Sequence, residues 1–366
     1  MKSFLWAMCG LLMISQAAGQ SALPAVEELG EGWNSIPTGG LCSTGTDFQF
    51  YVRDSAASDN LLLYFNGGGA CWFGQACDLN AQPNVHSPFA DMPDNTPDNF
   101  EGIFDLSRSD NPLADYDMVM VPYCTGDVHV GGGEQQYSYQ NSAGEEVSVT
   151  TYHNGYENSS TVLDWVYSNY SAPEKIVIAG SSAGAIGSSF YSGLVAEHYA
   201  DTPVILIADA AGGYNSPSLS VTLSAWQTAS ILPDWPEYAG ETDDSLTFED
   251  FYIASANHND NLVISQYNAA EDEVQYNFSY LIGDAPGSFS LSERIFNHYV
   301  EIESAVDDFY HFTAGGPVHT ILRSPIFYDY EVEGVRFADW VSALISDGRV
   351  KDVSCVNEVS GCKNAP

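Results

Sequence analysis

A chain of 366 residues with 45% hydrophobic and 13% aromatic residues can bury a substantial core, which excludes an intrinsically disordered protein. Ten Lys and Arg stand against 49 Asp and Glu, for a formal net charge of −39. Such a chain excludes nucleic acid, whose phosphates need Lys and Arg, and repels anionic membranes.

The acidic residues are spread along the chain, so they coat a folded surface whose self-repulsion salt would screen. Residues 1–19 read as a secretory signal, with Lys2 as the charged start, Phe4 to Ile14 as the apolar run and Ser15 to Gly19 as the cleavage region. Cleavage is expected after Ala17 or Gly19. The run is too short to span a bilayer, and Met8 before Cys9 argues against a lipid anchor, so a secreted protein without a membrane anchor is expected. Removing the signal leaves Cys42, Cys71, Cys77, Cys124, Cys355 and Cys362. An even count in an exported chain points to disulfides, the simplest pairing being Cys71–Cys77, Cys355–Cys362 and Cys42–Cys124.

In chain order, residues 47–52 alternate as a strand and residues 60–65 form a continuous apolar strand. The latter runs into Gly67-Gly68-Gly69 and then Ala70-Cys71-Trp72, a loop whose backbone amides can face a ligand. Residues 73–112 read as an irregular excursion and 117–122 as the next buried strand. His129 follows in a glycine-rich loop and reads as a solvated histidine. Residues 134–150 read as a hairpin or loose loop, and 160–170 as a helix capped by Ser159 or Ser160.

The next strand, Lys175 to Ala179, enters Gly180-Ser181-Ser182-Ala183-Gly184 and leads into a small, apolar helix. Strand, G-x-S-x-G and helix make a nucleophile elbow that lifts Ser182 clear of the sheet. Residues 204–208 read as a strand ending at Asp209, 212–247 as helices above the sheet, and Phe251 to Ser255 as a strand leading to His258 and Asp260. A helix from about Leu291 to Ala305, a strand at 309–313, the loop carrying His319 and a helix at 337–345 complete the chain. Strands alternating with helices predict one α/β domain over 20–366, with a mostly parallel sheet flanked by helices and no internal repeat.

A serine hydroxyl needs a base, and the base a carboxylate that fixes its tautomer. The order nucleophile, acid, base after successive strands selects Ser182, Asp260 and His319, with Asp209 as a rival acid. Gly68, Gly69 and Ala183 supply the expected oxyanion amides. His298 and His311 read as structural, and no ligand set with metal spacing accompanies His258, so no metal or cofactor is expected.

The stretches around Gly67–Trp72, Pro122–Gly126, Gly180–Gly184, Asp260 and Gly316–Thr320 together resemble the pectin acetylesterase family, which includes the Notum-like carboxylesterases. The resemblance covers roughly residues 40–325. It implies an α/β-hydrolase-like fold that cleaves esters through Ser182, Asp260 and His319, with Gly68, Gly69 and Ala183 as oxyanion donors. Thr320 stands where plant members carry a cysteine, and a polyanion would be repelled by this charge, so ester cleavage is implied more firmly than pectin as substrate. The expected activity is release of short acyl groups, acetyl above all, from an acylated glycan by a monomeric enzyme. A lipase-like or polyester hydrolase with the same triad is the alternative. A catalytically silent glycan-binding protein of the same fold is the other.

Overall fold

The computed structural model describes residues 22–55, 57–285 and 287–355; the expected signal segment and Cys362 lie outside them. The strands are β1 (Asn34–Leu41), β2 (Asp47–Arg53), β3 (Asn60–Phe65), β4 (Asp117–Val121), β5 (Gly133–Gln140), β6 (Glu146–His153), β7 (Lys175–Ser181), β8 (Val204–Asp209), β9 (Leu262–Ala269), β10 (Phe309–Ala314), β11 (Glu331–Val332), β12 (Val335–Arg336) and β13 (Val353–Ser354). The helices are α1 (Gly74–Cys77), α2 (Gly155–Asn169), α3 (Ala183–His198), α4 (Leu219–Trp226), α5 (Phe248–His258), α6 (Glu273–Ile282), α7 (Leu291–Glu303) and α8 (Phe337–Asp347).

One sheet orders its strands β1-β2-β4-β3-β7-β8-β9-β10-β13. β1, β2 and β4 pair antiparallel, and from β4 onward every neighbour is parallel. The carboxyl ends of β3, β7, β8, β9 and β10 therefore open along one edge, where ligands bind in open α/β sheets. Alternation splits the core into two layers. Leu61, Leu63 and Phe65 face Val162, Phe190, Phe251 and Ile295 of α2, α3, α5 and α7. Leu62 and Tyr64 face the other way, onto the layer that contains Trp340 and Leu344 of α8. Both faces are covered, so β3, β7 and β8 are buried and apolar along nearly their whole length. Truncating one such side chain, as in Leu63→Ala, costs about 2–5 kcal/mol.

Cys42–Cys124 and Cys71–Cys77 are bonded as the spacing suggested. Cys355 is disulfide-bonded too, its expected partner lying outside the described residues. Residues 134–150 form the β5–β6 hairpin. The helix expected from Ser160 starts earlier, at Gly155 after Asn154, and buries Ser159 within it.

One expected strand is a helix. Phe251 to Ser255 belongs to α5, which buries Phe248, Phe251, Tyr252 and Ser255 at helical spacing. Thr247 and Asp250 close a reciprocal capping box at its start. The strand is instead β9, whose apolar run is interrupted by Ser265, Gln266 and Asn268, all buried. Asp260 thereby falls at the amino end of β9, exposed and on the opposite edge of the sheet from Ser182.

Candidate active site

β7 ends in the elbow. Ser182 has φ 57° and ψ −122°, a conformation L-residues avoid, and α3 starts at the next residue. The neighbouring glycines make the close approach possible. A Cβ on Gly180 would strike the carbonyl of Gly184, and one on Gly184 would strike the carbonyl of Phe65 at the end of β3. The Ser182 amide donates to the Asp209 carbonyl at 2.7 Å, fixing the turn to β8.

Beside the elbow runs the glycine triplet. Gly69 has φ 77°, and its Cβ would collide with the Val85 carbonyl. An isolated antiparallel bridge to His86 uses Ala70 N–H and the Gly68 carbonyl, which leaves the amides of Gly68 and Gly69 outside the pairing. Ala183 is the first residue of α3, so its amide has no carbonyl one turn back. Among the described residues no protein acceptor takes any of these three N–H groups. The loop is fixed by the Cys71–Cys77 bond, by Cys71 N–H to the Gly126 carbonyl, and by the Trp226 indole donating to the Cys71 carbonyl at 2.8 Å.

His319 lies in the loop after β10. Its Nδ1 donates to Asp272 Oδ2 at 2.6 Å, and its Nε2 is buried without a hydrogen-bond partner. The carboxylate that holds this imidazole is thus Asp272 and not the expected Asp260. Asp260 sits a strand length away, roughly 25 Å at 3.3 Å per residue, whereas Asp272 follows the carboxyl end of β9 and is fully buried. Asp272 is also the N-cap of α6, its Oδ1 accepting from the amides of Val274 and Gln275. An Asp opening the amphipathic run 273–282 was the available signal, obscured because the preceding strand was misplaced.

Asp209, the rival carboxylate, makes no hydrogen bond to His319 but is a hub. Its Oδ2 accepts from Ser181 Oγ at 2.7 Å, Ile321 N at 2.9 Å and Leu322 N at 3.0 Å. His129 is not solvated: it is buried and donates from Nε2 to the Asn66 carbonyl at 2.8 Å. Burial lowers its pKa to about 4, so the ring is neutral at pH 7. His298 is structural as expected, paired with Glu249 at 2.7 Å between α7 and α5.

A pocket beside Ser182 is lined by Trp72, Val128, Trp226 and Phe248, with Phe278 and Ile282 of α6 closing it. It encloses about 390 Å³ of empty space, mouth included, but is narrow: a water-sized sphere can centre in only a small part of it. Tyr214, which the sequence did not single out, also lines this pocket. Burial raises its pKa, as does the charge of Asp272, while the neighbouring Ser182 lowers it. Chemically the site holds a hydroxyl on a strained turn, an imidazole oriented by a buried carboxylate, three amides without acceptors and an apolar slot.

The model of the pectinacetylesterase family matches residues 33–226. Two curated proteins of Xenopus laevis are similar to this chain. Palmitoleoyl-protein carboxylesterase notum1 is 27% identical over 159 residues, 43% of this chain and 30% of that protein. Palmitoleoyl-protein carboxylesterase notum2 is 26% identical over 155 residues, 40% of this chain and 28% of that protein. The chain thus spans under a third of the length of either relative.

Proposed function

This chain belongs to the pectinacetylesterase family, and we propose that it acts as an exported serine carboxylesterase with Ser182 as nucleophile, His319 as base and Asp272 as acid. The reading is carried by one observation: His319 is held through Nδ1 by a buried carboxylate, and Nε2 is left without a partner. When an ester enters, the Ser182 hydroxyl gives its proton to Nε2 as the oxygen attacks the carbonyl; such bonds often tighten only with substrate bound. The amides of Gly68, Gly69 and Ala183 receive the oxyanion. His319 then protonates the leaving alcohol, and water activated by the same imidazole frees the acid from Ser182.

The narrow pocket favours acetyl and other short acyl groups, and an acylated glycan is the proposed alcohol partner. A second reading, a lipase-like enzyme, draws on the apolar lining and on the palmitoleoyl esters named for the two relatives. The disulfides are compatible with export, and no helix among the described residues is long and apolar enough to cross a membrane. Hydrolysis of a p-nitrophenyl ester series separates the two readings: rates falling steeply beyond butyrate support the first, rates rising towards longer chains the second. Ser182→Ala should abolish turnover and labelling by a fluorophosphonate; retention of either refutes the assignment.

A further inference from the structure

The hub at Asp209 takes no part in the steps above. It closes β8, is fully buried, and its carboxylate receives only donors. Those donors come from two different loops. Ser181 precedes the nucleophile by one residue, and its hydroxyl in turn accepts from Tyr64 on β3 at 2.8 Å. Ile321 and Leu322 follow the base by two and three residues. The next residue, Arg323, donates at 3.0 Å to Asn66 Oδ1 and at 2.9 Å to the Asp94 carbonyl, and Asn66 opens the glycine triplet. Three segments that meet nowhere in sequence are thus tied to one another within two side chains of Asp209.

We infer that Asp209 is a positioning residue that sets the register of the His319 loop against the Ser182 elbow. The inference rests on the nucleophile and base assigned above. The elbow is rigid, held by β7 and α3, whereas the loop after β10 departs from the sheet and turns at Thr320 with φ 60°. A carboxylate shared by both fixes the loop at the point where it passes the elbow.

The test is Asp209→Asn in the full chain. An amide oxygen in the place of Oδ2 can keep the three short bonds, but the NH₂ then stands where Oδ1 accepts from the Ile321 amide at 3.2 Å, donor against donor, so the loop is pushed away. The expected result is a loss of about 10²-fold in kcat, as for a small misplacement of reacting groups, with KM within about twofold. Wild-type kcat, or a loss that falls on KM instead of kcat, overturns the inference. If Asp209→Asn does not fold, Ser181→Ala removes a single donor and should lower kcat without changing KM; unchanged kcat there is equally fatal. Fluorophosphonate labelling of the wild type separates the two levels. An unlabelled Ser182 sinks the nucleophile and this inference together, whereas a labelled wild type with an indifferent Asp209→Asn sinks this inference alone.

Discussion

Replacing Asp272 by Asn isolates the acid of the proposed triad from its structural duty. Asp272 caps α6 through Oδ1 and receives His319 and Gln275 Nε2 on Oδ2, at 2.6 and 3.0 Å. Asn is as good an N-cap as Asp, so the cap survives and stability should change by less than about 1 kcal/mol. The amide NH₂ then replaces Oδ2, facing two donors. The imidazole can relieve this by moving its proton to Nε2, so that Nδ1 accepts, and Nε2 can then no longer take a proton from Ser182. For a triad aspartate this wrong tautomer costs about 10⁴ in kcat, or about 5.4 kcal/mol of barrier at 1.36 kcal/mol per tenfold. The assay is p-nitrophenyl acetate hydrolysis, with thermal melting alongside. Asp260→Asn, on the far edge of the sheet, should behave as wild type. An Asp272→Asn enzyme within tenfold of wild type, or a loss of comparable size in Asp260→Asn, would refute the assignment.

Two further outcomes concern stability. Burial depresses the pKa of His86 and His129 to about 4 and of His153 to about 3, from 6.5. The unfolded chain binds these protons first, so the stability is present above pH 6.5 and lost as pH falls towards 4, by about 3 kcal/mol per imidazole. Burial raises Asp127 from 3.8 to about 6, which acts in the opposite sense, adding stability that is lost as pH rises through about 6. Burial raises Asp117, Asp209 and Asp250 in the same sense as Asp127; with the three imidazoles dominant in molar salt, where surface repulsion is screened, the melting temperature should fall between pH 7 and pH 4.5. A melting temperature that holds or rises contradicts the buried neutral histidines. At fixed neutral pH, the formal charge of −39 makes the melting temperature rise with added salt; no difference between low and molar salt would show that surface repulsion does not limit the fold.

The elbow was legible because its determinants are local: two glycines forced by close backbone contacts, a buried strand before and a small, apolar helix after. The glycine triplet and the two described disulfide pairings were legible for similar reasons, since short spacing or an even count left few choices. β9 was not. Its Ser265, Gln266 and Asn268 are buried polar groups whose partners, the Leu206 carbonyl, Tyr252 and Tyr299, lie far off in sequence. Without those partners the stretch reads as surface, and the short apolar run at 251–255 takes its place, because such a run does not by itself distinguish helix from strand. One misplaced strand was enough to move the acid to the wrong edge. Asp209 was likewise visible as a strand-ending carboxylate and rival acid but not as a hub, since its donors at 181, 321 and 322 converge only through the fold.

The double employment of Asp272 has a practical side. The helix it caps carries Phe278 and Ile282 into the wall of the pocket, so any tilt of that helix drags the carboxylate that aims the imidazole. Shape of the acyl cavity and alignment of the proton relay are mechanically one variable on this side. Redesign for bulkier esters should therefore carve the pocket at Leu219 or Thr222 of α4, away from the α6 wall, where room can be gained without detuning the base.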